Sequence, residues 1–369
     1  MHRMEETTDK KTSVRRTEID VAKGFALFLV VFGHVLDRDS IWAYWIFMFH
    51  MPVFFFLSGM TFRPEKYKSL SDFLKDKWKK RIIPYFIVTF IGLAICMLRA
   101  DYQQPVLERG WKDILTWIFY YGQPVELYVG QIWFMVGLFM AELISYLWFR
   151  LLGHQSPALR CYSLLLLAWA AMNVGKLNTA LSTVFPMVHR LPWKIDTGLC
   201  AAVFLIAGYY TTKSKLLERL ENQGNLSWFL IPFFTWLSYY FGPRLHGYVN
   251  ICDCAYSPGP YYFLVAFLGS AALVLTAVLC KNWRFWQYCG RYSLPIFSAQ
   301  TFAIYWVTEW IALATGRVYV PRHGMPNSKI ALLITIAAFA LLAAFVYPWH
   351  LYKTKKTTEL PFLRKSTKK

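Results

Sequence analysis

Charged residues are scarce in this 369-residue chain. Asp, Glu, Lys and Arg together make up 17% of it, and the acidic residues number 21 against 40 basic ones. Hydrophobic residues reach 56% and aromatic residues 19%, which is too apolar for a soluble protein of this size. The shortage of charge therefore excludes a soluble class and predicts an integral membrane protein.

A cleavable signal peptide is also lacking. The first apolar run, which starts near Phe25, is interrupted by His34 and leads into the polar residues 37–40 instead of a small-residue cleavage site. We therefore expect this run to remain in the protein as a membrane helix.

The chain lacks a metal-binding pattern. Of the seven cysteines, only Cys252 and Cys254 share a polar loop, and this C-x-C pair has no second half to complete a tetrahedral site. The two halves of the chain show no internal repeat, which disfavours transporters built from inverted repeats. The sequence therefore predicts no metal and no bound cofactor.

Apolar runs separated by charged or turn-rich breaks predict an all-α protein with about ten membrane helices. These runs cover residues 21–36, 41–62, 82–98, 131–152, 159–174, 199–211, 226–241, 261–280, 294–314 and 330–347. A shorter stretch, 111–121, predicts a helix that lies in the membrane interface. Residues 16–350 then form one membrane domain between two basic tails, 1–15 and 351–369.

The distribution of basic residues predicts the orientation. With ten spans, the two tails and the alternate loops carry 28 Lys and Arg, against 11 on the opposite side. This asymmetry places both termini in the cytoplasm and explains the net charge of +19 by topology and anionic headgroups instead of nucleic acid. The longer opposite loops, 122–130, 175–198 and 242–260, either shape an extracytoplasmic binding surface or are ordered caps.

Five ionisable residues fall within predicted spans, where they are costly unless they face the protein interior or a water-filled cavity. They are Lys23, His34, His50, Glu142 and Glu309. The two glutamates are candidates for proton relays, or they reach interfacial water near the ends of their helices.

Lys23 and His34 are the strongest candidates for a functional pair. Eleven residues of helix amount to about three turns, so the two side chains share one face about 16 Å apart, and Asp20 lies on the same stripe. The alternatives are a neutral His34 bonded to a neighbouring helix and a Lys23 that extends to the interface. His50 lies two residues before Pro52, whose missing N–H tends to kink a helix and to expose polar groups.

The basic segment 75–81, KDKWKKR, leads directly into the third predicted span. Lys80 and Arg81 at such a helix start can hold a phosphorylated ligand through charge-assisted hydrogen bonds. Binding of anionic lipid headgroups explains the cluster equally well.

Motifs in the first third of the chain resemble those of membrane-bound acyltransferase family 3, in particular the branch of fucose 4-O-acetylase-like sugar O-acetyltransferases. They are Arg16-Thr-Glu-Ile-Asp20-Val-Ala-Lys23-Gly24, Val30-Val31-Phe32-Gly33-His34 and Phe49-His50-Met51-Pro52, followed by Phe54-Phe55-Phe56-Leu57-Ser58-Gly59. Weaker matches follow in order, at Lys80-Arg81-Ile-Ile-Pro84-Tyr85, Ile132-Trp133-Phe134, Leu191-Pro192-Trp193-Lys-Ile-Asp196 and Gly290-Arg-Tyr-Ser293-Leu294-Pro295-Ile296.

The resemblance implies a bacterial O-acyltransferase, a multi-pass protein of the inner (cytoplasmic) membrane. It would take an acyl group, expected to be acetyl, from cytoplasmic acetyl-CoA or another acyl-CoA to a hydroxyl of an exported or lipid-linked cell-surface polysaccharide. Acyl-CoA, that glycan and membrane lipids are then its partners, with no nucleic acid.

The resemblance also implies roles for individual residues. His34 is expected to act as general base, with Lys23 and Asp20 completing the catalytic set. Arg16, His50, Lys80, Arg81 and Trp133 are expected to bind acyl-CoA or the acceptor.

One position departs from the family pattern, because Gln300 stands where such proteins commonly have a histidine. No role is transferred to it. A transporter or flippase for a lipid-linked sugar is the main alternative from another class, and a non-catalytic membrane sensor is a further one.

Overall fold

The computed structural model describes residues 16–185, 188–245, 249–256, 259–316, 324–325 and 327–366. The structure is 84% helical, and its described residues form no strand. Ten helices, numbered with the others in chain order, coincide with the predicted spans: α1 (Thr17–Val35), α2 (Ile41–Met60), α4 (Ile83–Leu98), α7 (Trp133–Leu152), α8 (Pro157–Val184), α9 (Ile195–Lys213), α11 (Gly224–Leu245), α12 (Gly259–Leu279), α14 (Ser293–Thr315) and α15 (Ser328–Ser366). The remaining five are short: α3 (Leu70–Lys77), α5 (Ala100–Arg109), α6 (Trp111–Phe119), α10 (Leu216–Asn222) and α13 (Arg284–Arg291).

Seven helices of the described chain are long and apolar enough to cross a membrane: Ile41–Met60, Leu70–Leu98, Gly130–Leu152, Pro157–Val184, Pro192–Lys213, Gly259–Leu279 and Ser328–Tyr352. The protein is therefore an all-α, polytopic membrane protein. Three further predicted spans, α1, α11 and α14, are helical but fall outside these seven. In α1 the reason is visible, because Glu18, Asp20 and Lys23 lie within its first two turns. The total of ten and the side of the termini stay predictions.

Two helices run well past their predicted ends. The fifth predicted span stops at residue 174, but α8 continues to Val184, and its added turns carry Asn178 into a buried contact with Asp196. The last helix, α15, continues to Ser366 into the predicted tail 351–369, while residues 1–15 and 367–369 of the tails lie outside the described residues. Polar residues end an apolar run in the sequence without ending the helix.

Serine caps fix the starts of several helices. The hydroxyl oxygen of Ser40 accepts the N–H of Ala43 at the start of α2, and Ser156 accepts that of Leu159 at the start of α8. Each bond satisfies a backbone donor that has no partner within the helix. Pro157 follows its cap at the first helical position, where a missing N–H costs nothing.

Helices α1 and α2 lie at the centre of the bundle. α1 packs against α2, α12, α13, α14 and α15, and α2 packs against α1, α9, α11 and α12. The contact between α2 and α9 is very close, because each helix places a glycine against the backbone of the other. A Cβ atom on Gly59 would lie 1.9 Å from the Leu205 carbonyl oxygen, and one on Gly208 would lie 2.0 Å from that of Phe56. Small residues permit this approach, which dispersion forces then stabilise.

Candidate active site

A small cavity of about 130 Å³ lies where α1, α2, α7 and α14 meet the basic segment before α4. We call it the basic cavity. Its lining residues are Lys23, Phe54, Ser58, Thr61, Arg81, Phe134, Met135, Leu138, Ser293, Leu294 and Phe297. The structure thus brings together Lys23 and Arg81, two residues that the sequence identified separately.

A buried carboxylate holds Arg81 at the basic cavity. Glu142 of α7 is 2% exposed, and its Oε2 accepts from the Arg81 Nε at 3.1 Å while its Oε1 accepts from Nη2 at 3.0 Å. Lys77 donates to the same Oε1 at 2.8 Å and is itself buried. Because two basic side chains share this carboxylate, the triad keeps one positive charge. Glu142 therefore does not reach interfacial water; it orients Arg81.

A π-helical turn, Trp78–Ile82, joins α3 to α4 and contains Arg81. The N–H of Ile83 donates to the carbonyl of Trp78, five residues back. Pro84 follows at once, and it has no N–H to give to the carbonyl four residues before it. This loss favours a local change from hydrogen bonds that span four residues to bonds that span five. π-Helical turns of this kind recur at functional sites.

The basic cavity is also lined by aromatic side chains. Phe54 of α2, Phe134 of α7 and Phe297 of α14 form a cluster with ring centroids 5.7–6.5 Å apart. The cavity therefore combines cationic and apolar lining. A ligand that carries phosphate at one end and a short uncharged chain at the other matches this polarity.

Helix α1 runs without interruption from Thr17 to Val35, so Asp20, Lys23 and His34 share a face as predicted. Asp20 is buried, Lys23 is half-buried at the basic cavity and His34 is exposed. At Asp20 the helix meets the start of the Gly290 motif, because a Cβ atom on Gly290 would lie 1.7 Å from the Asp20 carbonyl oxygen. Only glycine permits this backbone contact.

The two histidines meet at one aromatic ring. The Phe47 ring contacts His34 edge-on at 5.8 Å between centroids and contacts His50 at 4.7 Å. His50 is buried, and its Nδ1 lies 2.9 Å from the carbonyl oxygen of Ile46. Because a carbonyl oxygen can only accept, Nδ1 carries the proton and the Nε2 of a neutral His50 is the basic nitrogen. α2 continues as a helix through Pro52.

The other predicted binding residues do not line the basic cavity. Arg16 donates to Glu18 at 2.6 Å and to Thr212. Lys80 is half-exposed and pairs with Asp76 at 2.8 Å.

Trp133 is buried at the start of α7, where the ammonium of Lys194 lies 5.6 Å from its ring centroid. Its neighbours Phe134 and Met135 line the cavity instead. The second candidate relay, Glu309, is exposed and pairs with Arg99 at 3.3 Å. Binding roles for Arg16, Lys80 and Trp133 stay predictions.

The three long loops meet in a buried polar cluster that the sequence did not reveal. Lys194 is fully buried, donates to the carbonyl of Cys252 at 3.2 Å and bonds to Gln123. Arg190 pairs with the buried Asp196 at 2.7 Å. Burial alone would lower the pKa of the Arg190 guanidinium, but Asp196 and the neighbouring acidic groups raise it above its ordinary value. Buried ion pairs and hydrogen bonds of this kind indicate that the three loops form an ordered cap.

Cys252 and Cys254 lie within this cap as free thiols. Burial raises the pKa of Cys252 to about 11 and that of Cys254 to about 12. Both therefore stay protonated near neutral pH, which makes them poor nucleophiles.

A larger cavity of about 600 Å³ lies on the other face of α1, among α2, α11, α12 and α15. Phe28, Trp45 and Phe339 are among its lining residues, none of which is ionisable. It offers nothing to bind phosphate or to move a proton, so the basic cavity is the candidate active site.

Comparison with known proteins identifies the class. The model of acyltransferase family 3, described as an acyltransferase domain, matches residues 16–353, nearly the whole chain. The chain therefore belongs to this family of membrane acyltransferases. Searches of curated proteins and of solved structures gave no significant match.

Proposed function

We propose that the protein is an O-acyltransferase that moves an acyl group, expected to be acetyl, from cytoplasmic acyl-CoA to a hydroxyl of an exported or lipid-linked cell-surface sugar. The observation that carries this proposal is the basic cavity, where Lys23 and Arg81 face the same space as a cluster of phenylalanine rings. Membership of an acyltransferase family supports acyl transfer as the reaction. The charge pattern of the cavity supports a coenzyme A thioester as the donor.

The cavity has room for only part of such a donor. At about 130 Å³ it is smaller than coenzyme A, so the nucleotide would lie outside, on the basic segment 75–81. Arg81, oriented by Glu142, and Lys23 would bind phosphate oxygens, and the pantetheine arm would pass Phe54 towards His34. Lys80 would add charge at the mouth.

The direction of α1 suits transfer between the two ends of the bundle. Lys23 lies at the basic cavity, and His34 lies about 16 Å further along the helix. His34 would act as the general base that takes the proton of the acceptor hydroxyl, and His50 would lie close by as a binding group. Asp20, next to the Gly290 contact, would position Lys23. Inner-membrane localisation follows from this proposal and from the basic asymmetry of the loops.

The test is transfer of label by purified protein in detergent or vesicles, given radiolabelled acetyl-CoA and a glycan extract. We expect base-labile label in the glycan fraction. Uptake of glycan into vesicles without consumption of acetyl-CoA would favour the transporter instead. Neither transfer nor uptake would favour a sensor.

Loss of ester groups from the surface glycans of a deletion strain would identify the sugar and the hydroxyl that are modified. Label from succinyl-CoA or longer thioesters, compared at equal concentration, would identify the acyl group. Trapping of acyl-enzyme on His34 would distinguish a covalent intermediate from direct transfer.

A further inference from the structure

Gln300 of α14 is completely buried, and its side chain makes no hydrogen bond to any residue that the structure describes. Its exposed fraction is 0%, and neither Nε2 nor Oε1 has a partner among the described residues. Within that part of the chain, no other side chain leaves two buried polar atoms without partners. A buried amide without partners destabilises a protein, so its presence requires a reason.

A second glutamine shows how this fold treats a structural amide. Gln131 is also buried, and it donates to the carbonyls of Phe297 and Ser298 while accepting from the Thr301 hydroxyl. All three partners belong to α14, the helix of Gln300. The fold can therefore supply hydrogen-bond partners to a glutamine that contacts α14. Neither polar atom of Gln300 has such a partner among the described residues.

Gln300 continues a stripe of α14 that lines the basic cavity. Ser293 and Phe297 line it, and Gln300 lies seven residues after Ser293, within about 20° of the same face. Gln300 therefore lies about one turn beyond Phe297, the last residue of α14 that lines the cavity.

The helices α1 and α14 run in the same direction away from the cavity. Lys23 and Ser293 both line it near the starts of their helices. At the other end, Met325, which follows α14, exchanges backbone hydrogen bonds with Val35 and Asp37 at 2.8 and 3.2 Å. A rise of 1.5 Å per residue places Gln300 about 10 Å beyond Ser293 and His34 about 16 Å beyond Lys23.

The two side chains therefore differ by about 6 Å along the helix axes. Because α1 and α14 pack against each other, a reacting centre between the two helices at this depth lies near both side chains. We infer that Gln300 donates a hydrogen bond from Nε2 to the carbonyl oxygen of the acyl thioester, whose attack by the acceptor hydroxyl is assisted by His34. This inference rests on the proposed function.

The step balances with these groups alone. The hydroxyl oxygen forms a bond to the thioester carbon, and the carbonyl oxygen gains negative charge, which the Gln300 N–H stabilises. His34 takes the hydroxyl proton. The C–S bond then breaks, the carbonyl re-forms as an ester, and the thiolate leaves and receives the proton from His34.

The experiment compares Gln300→Leu with its matched control Gln131→Leu. Both replace a buried glutamine with an apolar side chain of similar size. We expect Gln300→Leu to unfold at the wild-type temperature or higher, because it removes an unsatisfied amide. Its kcat should fall about 100-fold, the loss typical of one oxyanion donor, with KM for acetyl-CoA changed by less than about threefold. Gln131→Leu should lower the unfolding temperature.

A second measurement reports the contact without turnover. With acetyl-CoA labelled by ¹³C at the carbonyl, the infrared carbonyl band should lie at lower frequency on wild-type protein than on Gln300→Leu. Gln300→Met, which keeps the size of the side chain but has no N–H or O–H donor, should show the same loss of the shift.

Each outcome bears on the inference. Near-normal kcat or an unshifted carbonyl band in wild type would overturn it, as would a loss of stability in Gln300→Leu equal to that in Gln131→Leu. A shifted band in wild-type protein that transfers no label would instead refute the proposed function and support the contact.

Discussion

Replacing Glu142 with glutamine tests whether one buried carboxylate organises the basic side of the cavity. Glutamine keeps the shape of the side chain and one oxygen acceptor but removes the negative charge. Lys77 is 7% exposed, so its ammonium cannot exchange the lost partner for bulk water. Arg81 loses the two-point contact that fixes its guanidinium.

The expected cost follows from burial. Breaking a buried ion pair by removing one partner typically costs about 3–5 kcal/mol, because the remaining charge is left without compensation. We expect about 3 kcal/mol for Glu142→Gln, the lower end, since Arg81 retains 26% exposure and glutamine can still accept one bond. Acetyl-CoA should also bind more weakly, with KM raised about tenfold, the loss of one charge-assisted hydrogen bond.

The double variant Lys77→Met/Glu142→Gln separates the two effects. Replacing a buried pair by apolar or neutral groups is often neutral for stability, so the unfolding temperature should return towards wild type. KM should stay raised, because Arg81 still lacks its carboxylate. Glu65→Gln, which breaks the exposed pair with Lys213, is the control and should change the free energy of unfolding by less than about 1 kcal/mol.

The assays are thermal unfolding in detergent and initial rates of label transfer at varied acetyl-CoA. Wild-type stability in Glu142→Gln would show that the ion pairs contribute nothing to the fold. Recovery of KM together with stability in the double variant would refute the assignment of Arg81 to the donor.

Further predictions concern the rest of the site and the bundle. His34→Ala should abolish glycan acylation while the protein inserts and expresses at wild-type levels; near-normal acylation would remove His34 from its role. Phe54→Ala should remove an aromatic contact with the pantetheine arm and raise the KM for acetyl-CoA by about tenfold, measured by initial rates, and an unchanged KM would place the arm elsewhere. Gly208→Leu should prevent stable folding, because its Cβ atom would lie 2.0 Å from the Phe56 carbonyl oxygen, and Leu166→Ala on the exposed side of α8 is its control. A wild-type unfolding temperature in Gly208→Leu would contradict the close contact of α2 and α9.

Much of the fold could be predicted from hydropathy, because an apolar run of span length is helical wherever the backbone must satisfy its own hydrogen bonds. All ten predicted runs are helices, and the family suggested by the motifs near Lys23, His34 and Pro52 is confirmed by the match over residues 16–353. Helix ends were predicted less well. Lys176 interrupts the apolar run of α8, but a charged residue outside the lipid does not end a helix.

Periodicity also placed Asp20, Lys23 and His34 on one face of α1, since spacing within a single helix depends only on its rise and turn. Periodicity could not predict which residues far apart in the chain contact each other. The sequence indicated that Glu142 is either a proton relay or a group that reaches interfacial water. In the structure, α7 packs against the segment before α4, which brings Glu142 within 3.0 Å of Arg81.

The sequence by itself determined that this is a helical membrane protein, because composition and local spacing carry that information, and the resemblance of its motifs added an acyltransferase signature on the first helix. Only the tertiary structure decided which groups share a space. Lys23 and Arg81 line one cavity, and His34 and His50 contact one phenylalanine. Gln300 lies buried without a partner among the described residues, while Gln131 has three. These relations depend on packing between helices, where a few ångströms decide whether a polar group is satisfied by the fold or remains available for a substrate.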